Sequence, residues 1–282
     1  EDFRGRLVYV ETSRGCPFGC QFCLSSTLRG MRYVDPERFR LTLRRLLSYG
    51  ARTVKFVDRT FNARKQHAFR ILDVFREEAA RSLAEAGSGK TAPELPRAHC
   101  EMAGELLDQD WLDYLQDFPR GMIQLEIGVQ STHQPTLEAV HRPQNFSQWQ
   151  DKVSFLQHAC DIPVHLDLIA GLPLESWAEF RNSFDEVFAL RPNHLQLGFL
   201  KVLKGSGLWA GSADYGLVYS SDPPYTVLKT RELTHGEILA LSRLEDLLEK
   251  YYNSGRFPYS LEYILKHIPD CIPKENAGEA GP

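Results

Sequence analysis

The chain has 282 residues, 43% hydrophobic and 25% charged, the composition of a globular protein long enough to bury one large core. Its 33 lysines and arginines are outnumbered by 37 aspartates and glutamates, and the net charge of −4 gives no reason to expect a nucleic-acid surface. No apolar run reaches the roughly 18 residues of a membrane-spanning helix, and the first residues lack the charged-then-apolar layout of a signal peptide, so a soluble, cytoplasmic protein is expected. Of the cysteines, Cys100, Cys160 and Cys271 stand alone, which fits a reducing compartment better than a disulfide framework. Cys16, Cys20 and Cys23 fall within eight residues, and a clustered trio in such a compartment points to metal.

Residues 7–11 (LVYVE) read as a strand that delivers the chain into the cysteine loop. Asp35-Pro36 marks a helix start, and Phe39, Leu43, Leu46 and Leu47 keep helical spacing until Gly50. Residues 53–58 form a second predicted strand, and 64–86 a long helix with Ala68, Ile71, Leu72, Phe75, Ala79 and Leu83 on one face. The stretch 87–96 (GSGKTAPELP) is turn-rich and reads as a surface loop. Gly89-Lys90-Thr91 imitates the end of a phosphate-binding loop, but the first glycine of that motif would fall on Ala84, and the motif follows a helix instead of a strand.

The alternation then continues with strands at 98–103, 122–130, 164–170 and 194–203, separated by helices around Leu106–Leu115, over 132–140 and 146–160, and over 177–190. Six β-α units in series predict an α/β fold with a parallel sheet and right-handed crossovers, a partial (β/α)6 TIM-like barrel over residues 1–204. Residues 205–234 are rich in Gly, Ser, Pro and aromatics without a clear period and are expected to form a lid or substrate-facing loop. A helix over 236–252 and a further turn or two over 259–267 complete a C-terminal helical extension, 205–268; the stretch 269–282 lacks apolar content and is expected to be a mobile tail.

Strands of a parallel sheet covered on both faces should be nearly continuous in apolar residues, and these are not. One face carries His99 and Glu101, then Gln124, Glu126, Gly128 and Gln130, then His165 and Asp167, then His194 and Gln196, while the alternate residues are apolar. Any one buried polar side chain is commonly satisfied by a neighbour, but so many converging on one interior are costly unless they bind something or hold water. The lumen is therefore read as a binding cavity.

C-x3-C-x2-C supplies three thiolates, one fewer than a closed iron–sulfur or zinc site needs. A structural zinc would need a fourth ligand nearby, and the nearest histidine in sequence is His67; plant-type ferredoxin spacing does not match. A 4Fe-4S cluster with one iron open to another ligand is the remaining reading. C-x3-C-x-aromatic-C after a first strand, with Phe22 as the aromatic, resembles the signature of the radical S-adenosylmethionine (radical SAM) superfamily, and the resemblance extends over about 7–203. It implies that Cys16, Cys20 and Cys23 hold a 4Fe-4S cluster whose fourth iron is chelated by the methionyl amine and carboxylate of SAM. It also implies a low-potential electron donor, flavodoxin or ferredoxin-like, and cleavage of SAM to a 5′-deoxyadenosyl radical that abstracts hydrogen from a small-molecule substrate.

By the same resemblance Glu101 looks like the carboxylate that contacts the amino end of SAM. Gln130, in EIGVQS, and Asp167, in DLIAGLP, look like the pair that hydrogen-bonds the ribose in the oxygen-independent coproporphyrinogen oxidase branch, with Gly171 in the same segment. Arg142 stands where an arginine meets the SAM carboxylate, a role suited to a bidentate guanidinium. Many members have a glycine-rich GGE-like segment after the second strand; here VDRTFN stands instead, and Asp58 or Asn62 is expected to take the amino contact. SRGCPFGCQFCLSS, KFVDRTFN and LQLGFLKVLKG resemble cobalamin-associated radical SAM proteins with an uncharacterised C-terminal domain, although no D-x-H-x-x-G cobalamin fingerprint occurs. Either the chain is an excised core, or cobalamin is bound by a domain absent from it. The rivals are a cobalamin-free radical SAM oxidation, a tRNA modification, against which the lack of a basic face counts, and an electron-transfer protein whose cluster never meets SAM.

Overall fold

The computed structural model describes residues 2–28, 30–86 and 94–271. The phosphate-loop imitation at 89–91 and most of the expected tail lie outside the described residues. Strands β1 (Leu7–Val10), β2 (Thr53–Phe56), β3 (Arg97–Met102), β4 (Ile123–Gln130), β5 (Val164–Ala170) and β6 (His194–Phe199) form one sheet in sequence order. Every pairing within it is parallel, and the first and last strands do not join. This is the expected partial barrel.

The crossovers are α1 (Pro36–Ser48), α2 (Lys65–Ala86), α3 (Gln109–Gln116), α4 (Gln134–Ala139), α5 (Gln150–His158) and α6 (Trp177–Ala189). Asp35 caps α1 by accepting from the Glu37 and Arg38 N–H groups, and Asp108 caps α3 by accepting from Trp111 N–H. Two of the expected helices start late because a tight 3-10 turn precedes them, Gly104–Leu106 before α3 and Phe146–Gln148 before α5. Alternation along the strands sorts the faces: Leu125, Ile127, Val129, Leu166, Leu168, Leu195 and Leu197 are buried against the helices. Trp111, Trp149, Phe56, Phe75 and Phe180 fill the layer between sheet and helices.

The last expected strand is shorter than its apolar run, because beyond Leu200, whose N–H still donates to Ala170 O, the chain turns to a partner further on. Leu200 O accepts from Val227 N–H, Val202 N–H donates to Tyr225 O, and Lys201 bridges Thr226. The stretch 205–234 is thus built and not periodic: a single helical turn at Gly207–Ala210, then an antiparallel ribbon of Val218–Tyr219 with Val227–Lys229. Strands of two and three residues are too short to show a period.

Helix α7 (His235–Leu247) opens with a capping box of Thr234 and Glu237 and runs on into a π-helical turn, Leu248–Asn253. At its end Asn253 Nδ2 donates to Leu195 O and Asn253 Oδ1 accepts from Leu195 N–H, both at 3.0 Å, which covers the outer edge of β6. Helix α8 (Pro258–Cys271) has 14 residues, longer than the expected turn or two. Among the described residues no helix is long and apolar enough to cross a membrane.

Candidate active site

The cysteine loop leaves the C-terminal end of β1 and is closed by a two-residue ribbon of Ser13–Arg14 with Arg32–Tyr33. Gly15 sits at φ +108°, and a β-carbon there would lie 2.3 Å from the Gly30 carbonyl oxygen, so only glycine fits. Gln21, between Cys20 and Phe22, ties the loop to two other regions. Its N–H donates to Val140 O (2.9 Å), its side-chain amide meets His141 Nδ1 (2.8 Å), and its carbonyl accepts from Leu208 N–H (2.9 Å). The barrel and the segment beyond β6 therefore meet at the loop.

Cys20 is buried, while Cys16 and Cys23 are partly exposed. Burial pushes the Cys20 thiol up, and the Arg142 guanidinium opposes the shift from 3.9 Å away. Cys16 Sγ lies 3.3 Å from Thr60 Oγ1. Three thiolates on one zinc would stand roughly 3.8 Å apart, given tetrahedral bonds near 2.3 Å. Among the described residues, however, the one set of three metal-ligating groups whose donor atoms come within 4.8 Å of one another is His99, Glu126 and His165. The wider spacing of the thiols suits a polynuclear cluster.

Below the loop, Glu101, Gln130, Arg142 and Asp167 line one cavity together with Arg59 and Thr60. Their polar valence is largely unmet. Asp167 Oδ1 and Arg142 Nε are buried without a hydrogen-bond partner, and the nearest cation to Glu101 is Lys55 Nζ at 3.9 Å. Burial, then the charges of Glu126 and Glu101, push the Asp167 carboxyl up to about 8; burial and Glu126 raise Glu101 as well. Arg142 is aimed by a 2.7 Å bond from Nη2 to Gly128 O and lies against the Phe18 ring, 5.6 Å from its centroid. Gln130 has φ +68°, rare for a residue other than glycine, and its amide lies over Gly128, where a β-carbon would fall 2.0 Å from its Nε2.

One step deeper the same strands carry a closed network. Lys55 Nζ donates to Glu126 Oε2 (2.7 Å), His99 Nε2 lies 2.7 Å from that same oxygen, and Gln124 Nε2 bridges His99 (3.3 Å) and His165 (2.9 Å). Burial alone would raise the Glu126 carboxyl, but His99 and Lys55 overcome it and hold the group at about 2. His165 is pushed down to about 4 by burial and by His194 and His99, and so is neutral at pH 7. The ammonium of Lys55 already balances the one carboxylate of the His99–Glu126–His165 set, which makes the set a poor cation site.

The remaining expected site residues occupy supporting places. Both carboxylate oxygens of Asp58 accept from Thr12, Oδ2 from its N–H (3.0 Å) and Oδ1 from its hydroxyl (2.8 Å), so Asp58 anchors the root of the cysteine loop. Asn62 pairs through both ends of its amide with the backbone of Ala103, each bond 2.9 Å. Phe22 packs partly buried on the core. Gly171, at φ +83°, lets Val227 close in; a β-carbon would meet Val227 Cγ1 at 2.6 Å. Lys55, Thr60 and Gln21 were not singled out from the sequence. Alternation within TVKFV places Lys55 on the lumen face, whereas no local pattern marks the other two.

A parallel partial barrel with an open three-thiol loop at the mouth of its first strand, over a cavity lined by unpartnered polar groups and two arginines, defines a class of enzyme that holds a charged, amino-acid-bearing nucleoside against an iron–sulfur cluster. The chain belongs to the radical SAM superfamily, whose family model matches residues 10–187. Its cofactors are accordingly a 4Fe-4S cluster and SAM. Residues 213–272 match a protein family of unknown function, DUF4080, in agreement with the uncharacterised C-terminal domain expected from the sequence.

The chain is 28% identical over 182 residues to the 2-(S-pantetheinyl)-carbapenam-3-carboxylate methyltransferase of Streptantibioticus cattleyicolor, covering 61% of this chain and 24% of that protein. It is 27% identical over 191 residues to the cobalamin-dependent radical SAM methyltransferase TokK of Streptomyces tokunonensis, covering 64% of this chain and 25% of that protein. The chain thus spans about a quarter of the length of these curated relatives. Its fold is similar to the radical SAM methyltransferase TsrM from Kitasatospora setae, solved with cobalamin and a [4Fe-4S] cluster bound, at TM-score 0.61 and 16% identity over 90% of this chain and 48% of that one.

Proposed function

We propose that the chain is the catalytic core of a cobalamin-assisted radical SAM methyltransferase acting on a small molecule. The observation that carries the reading is the set of unmet polar groups, Asp167 Oδ1, Arg142 Nε and the Glu101 carboxylate, gathered in one cavity beside Cys20. Two curated relatives are methyltransferases, one of them cobalamin-dependent, which supports the reaction type; the net charge of −4 supports a small molecule over RNA.

In this reading Cys16, Cys20 and Cys23 ligate the cluster, and the reduced cluster supplies the electron that cleaves SAM. Arg142 meets the SAM carboxylate with its free Nε–H, Glu101 faces the amino end, and Gln130 and Asp167 accept and donate to the ribose hydroxyls. Asp58 and Asn62 serve the amino end indirectly, by fixing the backbone around Arg59 and Thr60 that borders the cavity. Phe22 and Gly171 shape the loop and the exit of β5. A flavodoxin- or ferredoxin-like protein delivers the electron, and the cobalamin is held by a domain outside the sequence.

Anaerobically reconstituted, reduced protein tests this reading when incubated with SAM, with and without a cobalamin-loaded cobalamin-binding domain of a methyltransferase relative. The expected products are 5′-deoxyadenosine in both cases and, with cobalamin, S-adenosylhomocysteine and methylcobalamin; Cys20→Ala should abolish them all. Cluster-loaded protein that gives no 5′-deoxyadenosine contradicts the radical reading. Formation of 5′-deoxyadenosine without methylation of cobalamin when the cobalamin-loaded domain is supplied contradicts the methyltransferase assignment.

A further inference from the structure

Glu175 lies outside the cavity, at the start of α6, and is fully buried, with a relative exposure of 0%. Its Oε1 accepts two hydroxyl protons, from Ser131 Oγ at 2.5 Å and from Ser183 Oγ at 3.1 Å. Each hydroxyl, its proton thus committed, turns its lone pairs to the backbone of the turn that follows β4. Ser131 Oγ accepts from His133 N–H (3.0 Å), and Ser183 Oγ accepts from Thr132 N–H (3.1 Å). A buried acceptor therefore sets the direction of two hydrogen bonds, which in turn fix three consecutive residues, Ser131 to His133.

Gln130 immediately precedes that turn. It needs fixing, because its left-handed backbone is unfavourable for a side-chain-bearing residue and persists only where the surroundings enforce it. On its other side Gln144 Nε2 donates to Val129 O, and Ser131 N–H turns back to Val129 O at 2.9 Å. The β4–β5 register also shifts between Gly128 and Gln130. Glu175 follows β5, the strand that carries Asp167, so it locks together the ends of the two strands whose side chains enter the cavity.

We propose that Glu175 is a positioning residue that sets the SAM-binding conformation of Gln130 through Ser131 and Ser183. The inference rests on the reading of the cavity as the SAM site. Substituting Glu175 leaves Ser131 and Ser183 free to rotate, and the Gln130 amide then samples orientations away from the cavity. The cysteine loop is untouched, so the cluster should assemble as before.

The test is SAM affinity of cluster-loaded protein, with iron content and the EPR spectrum of the reduced cluster without SAM as controls. Glu175→Ala should weaken SAM binding about tenfold with both controls unchanged, and Glu175→Gln, which keeps the acceptor oxygen, should stay within about threefold of wild type. A merely structural role is separated by the double variant: in a Gln130→Ala background Glu175→Ala should add almost nothing, because its effect runs through Gln130. Equal SAM affinity in Glu175→Ala and wild type overturns the inference, as does a full additional loss in the Gln130→Ala background. If Glu175→Ala does not fold, Ser131→Ala carries the same cycle, with a smaller loss that also vanishes in that background. Wild-type, cluster-loaded protein that fails to bind SAM removes the reading of the cavity itself, and the inference with it.

Discussion

Two layers of the same lumen, built by the same strands, differ in how their polar groups are met. In the deeper layer Lys55, His99, Gln124, Glu126 and His165 each find a partner among themselves. In the outer layer Asp167 and Arg142 keep buried atoms without partners, and Glu101 has a cation no closer than 3.9 Å. A buried network that closes on itself stabilises and specifies a core; one left open destabilises the free protein unless a ligand completes it. Position in the barrel alone does not separate the two, since Glu126 borders both. Unmet valence does.

Substitutions should therefore act oppositely in the two layers. The largest expected effect is Arg142→Ala in the outer layer, which should weaken SAM binding by roughly a hundredfold through loss of a charge-assisted contact to the carboxylate. Thermal stability should barely change. Isothermal titration of cluster-loaded protein reads the first and a melting curve the second.

Glu126→Ala in the deeper layer should do the reverse. It strands the Lys55 ammonium and His99 in a half-buried lumen and is expected to cost about 2–3 kcal/mol of folding free energy, measured by denaturant unfolding. A stable Glu126→Ala protein with lost SAM affinity would erase the distinction between the layers.

Asp167→Asn sharpens the contrast through pH. In the free protein the folded state holds the Asp167 proton up to about pH 8, whereas the unfolded chain releases it near 3.8, so between these values the folded state binds more protons and stability falls as pH rises. Asp167→Asn removes that loss, so it should melt a few degrees above wild type at pH 8, with the gain fading toward pH 4. SAM affinity should drop at the same time, because the asparagine cannot become a carboxylate for the ribose.

His165 gives the smallest effect and the opposite slope. Its folded value near 4 lies below the ordinary 6.5, so the unfolded chain takes up the proton first and stability falls as pH drops from 6.5 toward 4. His165→Gln should flatten that part of the profile by about 1 kcal/mol, read from unfolding at pH 7 and pH 5. SAM affinity should not respond.

The barrel was legible because hydrophobic period and turn residues are local: six strands and their order follow from segments such as IQLEIGVQ and VHLDLIA. Alternation also placed the polar lumen face. The division of that face into satisfied and unsatisfied layers was not legible, because it depends on which side chains meet across strands, such as Lys55 and Glu126, 71 positions apart. Asp58 shows the same limit. A carboxylate after the second strand suggests a ligand contact, yet both its oxygens are committed to Thr12. The ribbon after β6 escaped because its strands are too short for a period and pair with residues 200–202, which read as a continuation of the last strand.

The most direct test of the account is a SAM titration of reduced, cluster-loaded protein followed by the EPR signal of the cluster. A saturable change is expected in wild type, with its midpoint moved to higher SAM concentration in Arg142→Ala and Asp167→Asn and left in place in His165→Gln. A signal indifferent to SAM, or one midpoint shared by all four proteins, would contradict the assignment of the outer layer as the SAM site.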